Sequence, residues 1–103
     1  MRTGYALENG CLIIQVPKEL DHHQANQLRT ETDMLIENYH VKQLVFDFAG
    51  TDFMDSSGIG VIIGRCKNMN FYGGEVKAKN LNGRVEKIFA VSGLKKLIKI
   101  ERD

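Results

Sequence analysis

Stretches with the period of a strand give way repeatedly along this chain to stretches with the period of a helix, and that alternation restricts the fold more than any other feature. Residues 44–48, Leu-Val-Phe-Asp-Phe, are a short apolar run; after a junction, Ile59, Ile62, Ile63, Cys66 and Met69 keep the i, i+3, i+4 spacing of one buried helix face. Upstream, residues 10–17 are rich in β-branched side chains and end at the chain's only proline, which has no N–H to extend a ladder. Tyr5–Glu8 is the expected hairpin partner, turned at Asn9-Gly10. A first helix is predicted over residues 21–39: Asp21-His22-His23-Gln24 fits an N-cap with Gln three residues later, and Ala25, Leu28, Leu35 and Tyr39 recur at helical steps. Residues 43–48 then read as a buried strand, 57–71 as a second helix, Gly73-Gly74 as a turn and Glu75–Lys79 as a strand. Val85, Ile88 and Phe89 mark a third helix that stops near Ser92-Gly93, and residues 97–101 read as a last short strand.

Strands separated by helical segments predict an α/β domain with a mixed, mostly parallel sheet, because parallel neighbours need a crossover and that crossover is usually a helix. The N-terminal hairpin adds an antiparallel edge, and about three helices are expected. With 103 residues and 43% hydrophobic content, the chain can bury roughly two thirds of its unfolded surface around one core, so residues 1–103 are expected to form a single domain. No internal repeat, linker or low-complexity stretch interrupts it. Function in open α/β sheets collects in loops at the carboxyl ends of strands. Two loops qualify, residues 18–23 and 49–57; if their strands are neighbours, Asp21 and Ser56 share one rim.

Charge narrows the partners. The 14 basic and 13 acidic side chains nearly cancel, which gives no overall electrostatic case for nucleic acid or membrane binding. Residues 1–55 hold 4 Lys/Arg against 9 Asp/Glu and residues 56–103 hold 10 against 4, so the serines at 56 and 57 stand at the seam of an acidic and a basic half. The longest apolar runs fall far short of the roughly 18 residues that span a bilayer, and the N-terminus has no signal-peptide stretch, which points to a soluble cytoplasmic protein. Cys11 and Cys66 fall in apolar patterns and read as small core residues of a reducing compartment. The two cysteines and three histidines show no ligand spacing, so neither a zinc site nor another cofactor is expected.

The chemistry concentrates in Phe53-Met54-Asp55-Ser56-Ser57-Gly58-Ile59-Gly60, where strand pattern becomes helix pattern. A serine there can cap the helix, bind an anion or accept a phosphoryl group, since the orphan N–H groups and the helix dipole favour negative charge. No G-x-S-x-G surrounds either serine, so a nucleophile-elbow hydrolase is excluded. Gly58, Gly60 and Gly64 are one residue off the dinucleotide fingerprint and lie inside the helix, where close packing on the sheet is expected to explain them. No phosphate-cradling G-x-x-x-x-G-K-[ST] exists, so a phosphorylated serine needs a separate kinase. His22 and His23 point about 100° apart at a helix start and do not form an acid-base pair. Asp21 reads either as an N-cap or as a charged group on the functional rim. Asp55 either orients a hydroxyl or an incoming basic group, or satisfies turn N–H groups. Lys95, Lys96 and Lys99 read as a solvated face.

These residues resemble a known family, the anti-sigma-factor antagonists of the STAS class. The resemblance runs from Gly10 to Ile100 and rests on Glu19-Leu20-Asp21-His22-His23, on the 53–60 octapeptide, on Ile63-Gly64-Arg65 and on Phe89-Ala90-Val91-Ser92-Gly93-Leu94. It is strongest toward the antagonists of the sporulation sigma-F pathway, with a stress-response sigma pathway as the rival within the class. It implies a non-enzymatic regulator whose Ser56 is phosphorylated by the anti-sigma factor, itself a serine kinase. The unphosphorylated form is implied to bind that kinase and free the sigma factor, and a PP2C-type phosphatase to reset the switch. On this reading Asp21, Asp55, Ser57 and Gly58 belong to the partner-binding surface, with Ser57 capping or supporting the helix start. A rival of another class is a small-molecule or nucleotide-binding STAS sensor that uses the same helix N-terminus as an anion site. The chain departs from the pattern at Lys18, where many members have Gly, and at its end, where many continue into a further helix.

Overall fold

The computed structural model describes residues 4–102, so residues 1–3 and 103 of the expected domain lie outside it. Two strands, β1 (Tyr5–Glu8) and β2 (Cys11–Gln15), form the N-terminal hairpin. Asn9 and Gly10 take φ of 51° and 79°, the left-handed pair that a two-residue type I′ turn requires. The chain continues through β3 (Glu19–Leu20), α1 (His22–Asn38), β4 (Gln43–Asp47), β5 (Phe53–Met54), α2 (Ser56–Phe71), β6 (Glu75–Lys79), α3 (Gly83–Ser92), a 3-10 turn over Leu94–Lys96, and β7 (Lys99–Glu101). The main sheet has the order β1-β2-β4-β6-β7, antiparallel at β1–β2 and parallel elsewhere, as helical crossovers dictate.

The register aligns apolar residues into rows across one face of this sheet. Leu12, Leu44 and Val76 form one row, and Ile14, Phe46, Ala78 and Ile100 the next. Against these rows pack Leu28 and Leu35 of α1, Ile62, Cys66 and Met69 of α2, and Val85 and Phe89 of α3, all in one core cluster. Each helix therefore buries one stripe, which is where most helical stability comes from. Burial pushes the Cys66 thiol up to about 11, so it stays protonated and acts as a small apolar side chain. Cys11 is half-buried, and both cysteines are free. Arg65 of α2 pairs with Asp33 of α1, joining the two helices; burial, and then the nearby Arg29 charge, hold the guanidinium pKa below its ordinary value. Among the described residues no helix is long and apolar enough to cross a membrane, and no three His, Cys, Asp or Glu are grouped to hold a metal ion.

Three local expectations change. Tyr39 is about half-exposed, because it is the C-cap in extended conformation and its N–H donates to the Leu35 carbonyl; Thr32 fills the buried stripe instead. The last strand starts at Lys99, because left-handed Gly93 ends α3 and the chain turns through Leu94–Lys96 first. The third change matters most. Residues 19–20 and 53–54 pair as a separate parallel two-stranded sheet, which no periodicity over two residues can announce.

Candidate functional site

The small sheet brings two helix starts side by side. In its register Glu19 faces Phe53 and Leu20 faces Met54, so Asp21 and Asp55 leave the paired strands at the same level. The Asp52 and Phe53 N–H groups donate to the Lys18 carbonyl at 2.8 and 3.3 Å, and the Asp55 N–H donates to the Leu20 carbonyl at 3.2 Å. Asp21 and Asp55 then adopt nearly the same backbone, φ −87°, ψ −176° and φ −90°, ψ −175°. Each carboxylate caps its helix through Oδ1, accepting from the Gln24 N–H at 2.9 Å and from the Gly58 N–H at 3.0 Å.

This corrects the expected role of Ser57. The cap of α2 is Asp55, and the helix begins at Ser56, so both serines lie in its first turn. Pairing of β5 ends at Met54 and holds Asp55 extended, the conformation a capping residue needs; Ser56 and Ser57 are already helical. With the Gly58 and Ile59 N–H groups bonded to Asp55, the amides left without an intrahelical partner are those of Ser56 and Ser57. The Ser56 side chain is exposed and makes no hydrogen bond among the described residues. Ser57 is half-buried, and its Oγ lies 3.2 Å from Nδ1 of His22, the first residue of α1. His22 therefore turns to the neighbouring helix and not to His23.

Gly58 is buried beneath the site, and a Cβ there would stand 2.3 Å from the Leu20 carbonyl oxygen and 2.8 Å from Leu20 Cγ. The missing side chain is what lets α2 lie against β3. Gly60 and Gly64 have nothing within 4 Å of an added Cβ, so close packing explains Gly58 alone of the three.

A residue the sequence did not single out holds the loop in place. Thr51 is fully buried, its hydroxyl shared at 3.0 Å between the Val16 and Pro17 carbonyls, while its own carbonyl accepts 2.9 Å from the Asn82 side chain. Asn82 also caps α3 by accepting from the Val85 N–H at 2.9 Å. Thr51 thus ties the 48–55 loop to the end of β2 through its hydroxyl and to the start of α3 through its carbonyl, and in sequence it is indistinguishable from any loop threonine. Asp47 Oδ1 closes the rim, accepting from the Ala49 N–H and the Asn80 side chain at 2.9 Å each. Lys95, Lys96 and Lys99 are exposed, as a solvated face should be.

The small parallel sheet beside the mixed main sheet thus leads into two aspartate-capped helix starts, with an exposed serine at the first position of α2. The STAS domain family matches residues 6–103, and the chain belongs to it. Its relatives by sequence include anti-sigma factor antagonists. The chain is 38% identical over 91 residues to the anti-sigma F factor antagonist of Paenibacillus polymyxa, covering 88% of this chain and 78% of that protein. It is 32% identical over 87 residues to the anti-sigma-B factor antagonist of Bacillus subtilis, covering 84% and 78%. Among solved structures, the Bacillus cell fate determinant SpoIIAA in its phosphorylated form superposes with a TM-score of 0.77 at 26% identity, covering 99% of this chain and 93% of that one.

Proposed function

We propose that this protein is an anti-sigma-factor antagonist that works by partner switching, with Ser56 as its phosphoacceptor. Unphosphorylated, it binds an anti-sigma factor that is also a serine kinase and so releases the sigma factor; phosphorylated on Ser56, it lets the kinase go; a PP2C-type phosphatase restores it. One observation carries the reading: an exposed, unbonded serine hydroxyl at the first position of α2, in a chain whose relatives are anti-sigma factor antagonists. The higher identity to the F-type relative than to the B-type one favours a sporulation pathway over a stress-response pathway. Asp55 and Ser57 flank the acceptor in the chain and Asp21 caps the neighbouring helix; each aspartate caps through Oδ1, leaving Oδ2 to face a basic group on the partner. Gly58 contributes from below by permitting the close approach of the two helix starts.

The test is a pull-down from the native cytoplasm, identification of the retained kinase, and incubation with ATP followed by intact mass and phosphopeptide mapping. Ser56→Ala is expected to gain no phosphate yet retain the kinase, because it removes the acceptor oxygen and little surface. A protein that gains no phosphate in this assay is instead an anion or nucleotide sensor.

Asp21→Asn separates capping from charge. Asn caps about as well as Asp, so thermal stability should barely move. Binding to the kinase is expected to weaken by roughly fivefold to tenfold and to lose part of its salt dependence, as removal of one interfacial charge does. Titration calorimetry at low and high salt checks it; wild-type affinity at both would leave Asp21 as a cap only.

A further inference from the structure

Two adjacent serines occupy the first turn of α2, and the geometry points to His22 as the residue that decides between them. We propose that His22, by holding the Ser57 hydroxyl, is a positioning residue that restricts phosphorylation to Ser56; the proposal rests on the phosphoacceptor reading above. Both hydroxyls are carried by neighbouring residues of one helix turn, so a kinase docked on this rim has both within about one residue's reach. Their surroundings differ. Ser56 is exposed and has no hydrogen bond among the described residues, whereas Ser57 Oγ is 3.2 Å from His22 Nδ1, within hydrogen-bond range.

Phosphoryl transfer makes a specific demand on that oxygen. The serine Oγ forms a bond to the γ-phosphorus of ATP, the bond from that phosphorus to the β-γ bridging oxygen breaks, ADP leaves, and the hydroxyl proton passes to the kinase's base. The attacking oxygen must therefore offer a lone pair in line with the leaving group and its proton toward the base. In either tautomer His22 opposes this at Ser57. If Nδ1 is unprotonated, the Ser57 hydroxyl donates to it and its proton points at α1, away from a base on the kinase; if Nδ1 carries the proton, it occupies one of the two Oγ lone pairs and fixes how the other is aimed. The two residues are 35 apart in sequence and meet only because β3 pairs with β5 and sets α1 and α2 level. His22 is exposed at the first position of α1, outside the core, so its replacement leaves the packing intact.

The experiment is phosphopeptide mapping of wild type, His22→Ala and His22→Asn after reaction with the kinase retained in the pull-down and ATP. Wild type should carry phosphate on Ser56. His22→Ala should raise the share of phosphate on Ser57 about fivefold to tenfold, the effect of losing one hydrogen bond. His22→Asn, whose amide can replace the Nδ1 contact, should restore the wild-type distribution. An unchanged distribution in His22→Ala, including one with only a lower total rate, overturns the inference and leaves the Ser56 reading standing. His22→Asn behaving like His22→Ala likewise overturns the hydrogen bond as the agent. Wild type without phosphate on Ser56 overturns the functional reading itself.

Discussion

Replacing Gly58 by alanine is expected to destabilise the protein by about 3 kcal/mol, the upper part of the range for overpacking a close contact. For a chain of this size that lowers Tm by roughly 15 °C. The added Cβ would meet the Leu20 carbonyl oxygen at 2.3 Å, and backbone cannot swing aside as a long side chain can. That same carbonyl accepts the Asp55 N–H, so any relief by moving α2 outward breaks the β3–β5 pairing and separates Asp21 from Ser56. Binding to the kinase should therefore fall even at temperatures where the variant is folded. Gly60→Ala makes the control, because it adds a methyl to open space on an exposed helix position. It should stabilise by about 0.5–1 kcal/mol, the difference in helix propensity. Thermal unfolding of both variants decides the matter: equal effects at the two glycines would mean that Gly58 does not hold the helix against β3.

Phosphorylation of Ser56 is expected to weaken binding to the anti-sigma kinase by roughly a hundredfold or more while leaving the fold intact. The phosphate adds about −1.5 to −2 charges at pH 7. Within this protein the charge is met by the unpartnered Ser56 and Ser57 amides and the positive end of the α2 dipole, which offset repulsion from the neighbouring Asp55. The rim already carries Asp21, Asp52 and Asp55, and on the proposed function a docked kinase would have to bury the new dianion against the phosphates of its bound nucleotide. Repulsion and desolvation of about 3–4 kcal/mol are enough to release the complex. A phosphorylated relative that superposes at a TM-score of 0.77 supports the expectation that the domain tolerates the charge. Calorimetric titration of both forms, with amide NMR, measures both halves. Shifts should stay within residues 49–60 and the first turn of α1; rearrangement across the main sheet, or unchanged affinity, would sink the charge-switch mechanism.

What the sequence determined by itself is what depends on near neighbours. The type I′ turn follows from Asn9-Gly10, since Asn and Gly are the residues that accept left-handed φ at both positions. Asp21 reads as the cap of α1 because no other capping residue precedes that helix within reach, and its periodicity fixes which face is buried. Gly93 ends α3 for the same local reason. Beyond the hairpin, the alternation of elements then makes the main sheet parallel, because each helix supplies the crossover that parallel neighbours need. The start of α2 was different. Asp55, Ser56 and Ser57 are all competent caps, so local chemistry leaves the choice open. Only the pairing of β5 with β3, between residues 34 apart, holds Asp55 extended and makes it the cap. That pairing also decides why Gly58 must be glycine and why His22 reaches Ser57 and not Ser56, since each depends on where one helix start lies relative to the other. Residue type states what a side chain can do. The backbone hydrogen bonds of a two-residue sheet decide which of those capacities is used.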